Sequence, residues 1–102
     1  MKNILFPDIF QQQPPFSDRF DAFKLQAQDC DILFAMYPEG TEIAPHSHDT
    51  DNYGVITRGR LYLTVNGQET MYEPGDWYHV SKGQIHSARF DKDTEEIEFW
   101  FA

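Results

Sequence analysis

An all-β domain, folded as a sandwich or a barrel, is what this sequence predicts, and three observations carry the expectation. Short runs rich in β-branched and aromatic residues follow one another from Arg19 onward, each closed by turn-forming residues. No segment keeps a sustained helical period. Asn66-Gly67 stands between two such runs and is the strongest short-range signal for a hairpin. The 102 residues suit one domain. Nine Phe and five Tyr supply enough large apolar surface for a core, so the chain is a folded one.

Residues 1–19 read as an extended arm. Gln11-Gln12-Gln13-Pro14-Pro15 cannot form a helix interior, because proline lacks the amide donor and restricts the residue before it. Phe6, Ile9, Phe10 and Phe16 are too apolar to be left in water. They are expected to dock on this domain or on a second copy of it. Residues 20–102 then form the β-domain.

Within that domain the first expected strand is Phe20–Leu25, and Ile32–Tyr37 is stopped by Pro38-Glu39-Gly40. Asn52–Thr57 follows a histidine-bearing extended segment. In Arg60–Val65, Leu61, Leu63 and Val65 alternate with Tyr62 and Thr64, and Gln68–Tyr72 returns after the Asn66-Gly67 turn. Trp77–Val80, Gln84–Phe90 and Glu95–Phe101 are separated by Ser81-Lys82-Gly83 and Asp91-Lys92-Asp93. In the last strand Ile97, Phe99 and Phe101 share one face, and Glu96, Glu98 and Trp100 the other. The acidic run Asp91–Glu98 reads as a solvated turn and strand face.

The net charge of -9 and pI near 4.6 repel phosphate backbones and anionic bilayers, so nucleic acid and membrane surfaces are poor partners. The single cysteine, Cys30, cannot form an intrachain disulfide and fits a reducing compartment. Next to the apolar run Ile32–Met36 it reads as a packed, inert thiol. The opening residues Met1–Phe6 begin like a signal peptide, but Pro7 and Asp8 end the apolar run at once. The expected location is the cytoplasm.

The chemistry concentrates in three histidines. His46 and His48 stand two residues apart, so an extended backbone puts both imidazoles on one face. His86 lies far downstream, and three converging imidazoles suit Zn, Cu, Fe or Ni. His79, mid-strand beside Tyr78, reads as a rim or core histidine. Tyr53 reads as a core tyrosine with a satisfied hydroxyl, and Trp77 and Tyr78 as packing residues.

From Gly40 to His86 the chain resembles the cupin superfamily of small jelly-roll barrels with a metal inside. The first motif of that family is Gly, five residues, His-x-His, three or four residues, Glu, six residues, Gly; Gly40, His46, His48 and Gly59 occupy its places. The second is Gly, five residues, Pro-x-Gly, two residues, His, three residues, Asn; Gly75, Gly83 and His86 match it. Three positions depart: Asn52 replaces the Glu ligand, Ser81 the Pro, and Phe90 the Asn. The resemblance implies a single-domain cupin-type jelly-roll β-barrel with an N-terminal extended arm. It also implies a divalent transition metal ion (Fe, Mn, Ni, Co or Zn) on His46, His48, Asn52 and His86.

Asn52 takes one negative charge from the ligand set, which weakens metal binding and makes the ion a stronger Lewis acid. Asp49 and Asp51 could restore a carboxylate, but strand alternation turns both away from the pocket. Phe90 implies an apolar lining on its side. By resemblance, the function is that of a metal-dependent enzyme of dioxygenase, isomerase or lyase type, acting on a small organic molecule. A non-catalytic small-molecule-binding or sensor barrel, or a structural one, is the alternative. His79 and Tyr78 are candidate bases if they face the pocket. The apolar arm and the analogy with small cupins imply a homodimer.

Overall fold

A computed structural model describes Ile4 and residues 11–102 of the chain. Phe6, Ile9 and Phe10, on which the docking of the arm was argued, lie outside the described residues. The strands are β1 (Asp21–Ala27), β2 (Cys30–Tyr37), β3 (Glu42–His46), β4 (Asp51–Arg58) and β5 (Leu61–Val65), then β6 (Gln68–Tyr72), β7 (Trp77–Val80), β8 (His86–Arg89) and β9 (Thr94–Phe101). Every pairing is antiparallel. One sheet has the order β1-β2-β9-β4-β7 and the other β3-β8-β5-β6. Two sheets exchanging strands in this way form the expected jelly roll.

The hairpin at Asn66-Gly67 forms as its sequence requires. Both residues have positive φ, 53° and 75°, the type I′ geometry that matches strand twist. The expected strand ends differ from the observed ones at β8, where the strand covers only His86–Arg89 of the run Gln84–Phe90. Ser81 and Gln84 are tied together instead, Gln84 N–H donating to the Ser81 carbonyl at 3.0 Å, which keeps this stretch a turn.

Leu33, Ala35 and Tyr37 of β2, Ile56 of β4, Leu61 and Leu63 of β5, Val80 and Phe90 build the buried core between the sheets. The segment before β1 closes one side. Pro15 bridges to Phe23, and Phe16 N–H donates to the Ala22 carbonyl at 2.8 Å. The Phe16 ring packs edge-on against Trp100, 5.4 Å between centroids, and the Phe20 ring lies 4.9 Å from that of Tyr37. The described part of the arm therefore docks on its own domain.

The acidic strand corrects the sequence reading. β9 is the central strand of its sheet, between β2 and β4. Its alternation is as expected, but the face bearing Glu96, Glu98 and Trp100 points between the sheets. Glu96 and Glu98 are 2% and 5% exposed, while Phe101 of the other face is 41% exposed. Strand register explains this. Glu96 lies between Ala35 and Ile56, and Glu98 between Leu33 and Gly54, all on the inward side. Thr94 and Glu95 are buried as well, so the solvated part of the run is Asp91 and Lys92.

Candidate metal centre

His46 and His86 are brought together by strand pairing: they are cross-strand partners of β3 and β8. The register of that ladder shifts between Ile43 and His46, where Pro45 interrupts an edge strand. Such an irregularity re-aims the side chain that follows it. His48 lies just past β3, and its carbonyl accepts a hydrogen bond from Gly83 N–H at 2.8 Å. That bond ties the first histidine segment to the turn carrying the third.

The ring atoms converge. One nitrogen from each of His46, His48 and His86 falls within 4.8 Å of the others. His46 Nδ1 lies 2.8 Å from the Ala44 carbonyl and His86 Nδ1 3.0 Å from that of Gln84. A carbonyl only accepts, so each Nδ1 carries the proton and each Nε2 presents a lone pair. The Nε2 atoms of His46 and His48 stand 3.0 Å apart. Two nitrogens each about 2.1 Å from one ion, at right angles, would stand about that far apart. The donor set thus fits a transition metal.

Protonation is disfavoured at the same place. The His48 pKa is pushed down to about 4, by burial first and then by the neighbouring His46 and His86. Burial also lowers His86, against a raising contribution from its bond to the Gln84 carbonyl. Neutral rings are the form that binds a metal. The sign for stability follows. The unfolded chain takes up protons first as pH falls below 6.5, so metal-free protein is expected to lose stability between about pH 6.5 and about 4. Urea midpoints across that range would test this, with His48→Gln giving the shallower dependence.

Asn52 is buried, and its Oδ1 accepts a hydrogen bond from the Thr50 hydroxyl at 2.6 Å. It lines the same cavity as the histidines. Asp51 and Asp49 point away, as alternation requires. Asp51 Oδ1 accepts from Lys82 N–H at 2.9 Å, and the Asp49 side chain is 97% exposed. Phe90 forms an apolar wall, as expected, stacked on Tyr37 at 4.4 Å between centroids.

His79 and Tyr53 belong to the other face of the sheet. Their rings stack at 4.2 Å, His79 Nε2 lies 3.6 Å from Asp51 Oδ1, and Tyr53 is 40% exposed. The expectation of a core tyrosine at position 53 is overturned, because β4 turns it outward when Asn52 turns inward. Cys30 is a free, half-buried thiol at the start of β2.

Opposite the histidines lies a group that the sequence did not disclose. Tyr78 donates to Glu96 Oε1 at 2.6 Å, and Tyr37 donates to Glu98 Oε2. Trp100 Nε1–H donates to Glu98 Oε1 at 3.0 Å, and its ring packs 4.6 Å from that of His48. Tyr78, expected to be a packing residue, thus holds a carboxyl group inside the cavity. Burial and the adjacent carboxylates raise both tyrosines well above the ordinary phenol value. Burial, then Glu98, raises Glu96 well above the usual carboxylate range.

Gly54 makes room for this arrangement. A Cβ there would lie 2.2 Å from the Tyr78 ring. Gly54→Ala is expected to displace Tyr78 and break its bond to Glu96, costing roughly 1–3 kcal/mol in urea denaturation. The same change in a Tyr78→Phe background should cost less, because that bond is already gone.

Together these groups line a cavity of about 410 Å³ that includes His46, His48, Asn52, His86, Glu96 and Glu98. Its size suits a small organic molecule. Among the described residues no helix is long and apolar enough to cross a membrane.

Comparison with known proteins agrees with the architecture. A family model described as Cupin domain matches residues 33–101. Quercetin 2,3-dioxygenase from Bacillus subtilis (strain 168) is 34% identical over 56 residues, 53% of this chain, and the chain spans 16% of that enzyme's length. KdgF from Halomonas sp. superposes with a TM-score of 0.80 over 94% of this chain and 92% of its own, at 17% identity. An RmlC-like cupin from Shewanella frigidimarina NCIMB 400 does so at 0.80 over 99% and 91%, at 15% identity. These two likenesses establish a shared fold.

Proposed function

The chain belongs to the cupin family, and from that premise we propose that it is a metal-dependent enzyme acting on a small organic molecule. The observation that carries this reading is the convergence of three imidazoles, two with Nδ1 committed to a carbonyl, on the wall of a cavity between the sheets. His46, His48 and His86 would hold the ion, with Asn52 as the fourth protein group. When bound, the ion supplies a Lewis acid that polarises a substrate oxygen.

The protein's own residues do the rest. His46 and His86 keep their tautomers through the Ala44 and Gln84 carbonyls, so each presents Nε2 for binding. Phe16, Phe90 and Trp100 wall the cavity with apolar surface. Arg19, exposed and lining the same cavity, adds a positive charge toward an acidic or oxygen-rich ligand. Dioxygenase, isomerase and lyase chemistries are the candidate classes.

The test is metal content of untagged protein by mass spectrometry, before and after reconstitution with Fe, Mn, Ni, Co or Zn. Near one ion per chain supports the reading. No ion even after reconstitution overturns it, and leaves a small-molecule binder built on the same barrel.

A further inference from the structure

Three cavity-lining residues donate to the carboxyl pair: Tyr37, Tyr78 and Trp100. They satisfy both oxygens of Glu98 and Oε1 of Glu96. Glu96 Oε2 is left buried with no hydrogen-bond partner, although the residue is 2% exposed and lines the cavity. A buried carboxyl oxygen without a donor is costly, and a native structure keeps one where a ligand or a proton completes it. No cation offsets the pair from the neighbouring strands, since the cross-strand neighbours are Leu33, Ala35, Gly54 and Ile56.

We propose that Glu96 and Glu98 form a proton-transfer pair facing the three histidines, and that the site enolises or isomerises a small carbonyl compound. This rests on the metal-enzyme reading above and narrows it from three reaction classes to proton transfer. Two carboxyl groups on one face of one strand, in a low-dielectric interior, hold one proton between them. Glu98 accepts at both oxygens, and Glu96, with its open Oε2, is the member placed to hand a proton to a ligand. The titratable groups that share the cavity with the pair are Tyr37 from β2, Tyr78 from β7, His46 and His48 from the β3 segment and His86 from β8, with Arg19 in the wall.

The step balances without an oxidant. A carbon–hydrogen bond beside the substrate carbonyl breaks, and its proton passes to the carboxylate. The electron pair of that bond forms the carbon–carbon double bond. The acid gives its own proton to the carbonyl oxygen. The enol has the composition of the ketone, and the pair still carries one proton. Return of a proton to a different carbon completes an isomerisation.

Two measurements decide the proposal. In metal-free protein near neutral pH, infrared difference spectra in H₂O and D₂O are expected to show a carboxylic-acid carbonyl band. Glu96→Gln should remove it, Tyr78→Phe should shift it, and Glu69→Gln on the exposed surface should leave it unchanged. No such band, or one that survives Glu96→Gln, overturns the pair.

The second measurement is deuterium uptake at C3 of 2-oxobutyrate in D₂O, followed by NMR with and without Mn²⁺. Native protein is expected to accelerate uptake over Mn²⁺ in buffer, and Glu96→Gln to cut the acceleration by about a hundredfold with metal content unchanged. No acceleration, or equal acceleration by the variant, overturns the proton-transfer role. Absence of bound metal with the infrared band intact would instead overturn the metal-enzyme reading alone.

Discussion

His86→Ala is expected to release the metal ion. His86 is the one buried member of the histidine triad, and it sits directly across the ladder from His46. Its Nδ1 is anchored to the Gln84 carbonyl, so the ring that would present Nε2 is preoriented. Removing groups that merely orient a ligand costs about 10–100-fold in affinity. Loss of the ligand itself should exceed about a hundredfold. Metal analysis after gel filtration would read this as a fall from near-stoichiometric to trace content. Saturating metal should also stabilise native protein in thermal unfolding, and the shift should vanish in the variant. His79→Ala is the control. Its ring lies on the outer face against Tyr53, and its loss should leave metal content unchanged.

Gly59→Ala should be the most damaging small substitution in the barrel. Gly59 joins β4 to β5 with φ of +80°, a conformation that costs a residue with a Cβ about 1–3 kcal/mol. The added Cβ would also lie 2.3 Å from the Asp93 carbonyl oxygen and 2.5 Å from Thr94 Oγ1. Those atoms cannot retreat cheaply. Thr94 is fully buried, and its hydroxyl lies 3.1 Å from Arg60 N–H and within 3.0 Å of the Arg60 and Lys92 carbonyls. Disrupting that hub leaves buried polar groups unmatched, at about 1–3 kcal/mol each. A total above about 3 kcal/mol is expected in urea denaturation, a large share of the stability of a small domain. Thr94→Ala, which removes the hydroxyl without straining the turn, should cost less.

The histidine site was legible in the sequence because its signals are local. His46 and His48 follow strand alternation, Gly40, Gly59, Gly75 and Gly83 all take positive φ, and motif spacing set the register of His86. The direction of Asp51 came from the same period-two argument, and the apolar wall at Phe90 from its replacing the Asn of the second motif. The carboxyl pair was hidden because alternation assigns residues to two faces without saying which face is inside. In β9 the face rich in Ile and Phe looked like the inner one. Its central place in the sheet, and the small neighbours Ala35 and Gly54 on the flanking strands, decided the matter, and both are non-local facts. Tyr53 is a different case: once Asn52 is placed inward, alternation alone turns its neighbour outward.

The pairing of β3 with β8 also sets when the site can come into being. His46 and His86 are distant along the chain and meet only when a long loop closes, a step whose entropy makes such contacts slow to form. A chain emerging from the ribosome carries His46 and His48 long before it carries His86. Until β8 is synthesised and zipped onto β3, those two imidazoles form an incomplete chelate. Under the proposed reading, capture of an ion by all three histidines would therefore belong to the end of folding, with the ion as a latch on a barrel already assembled.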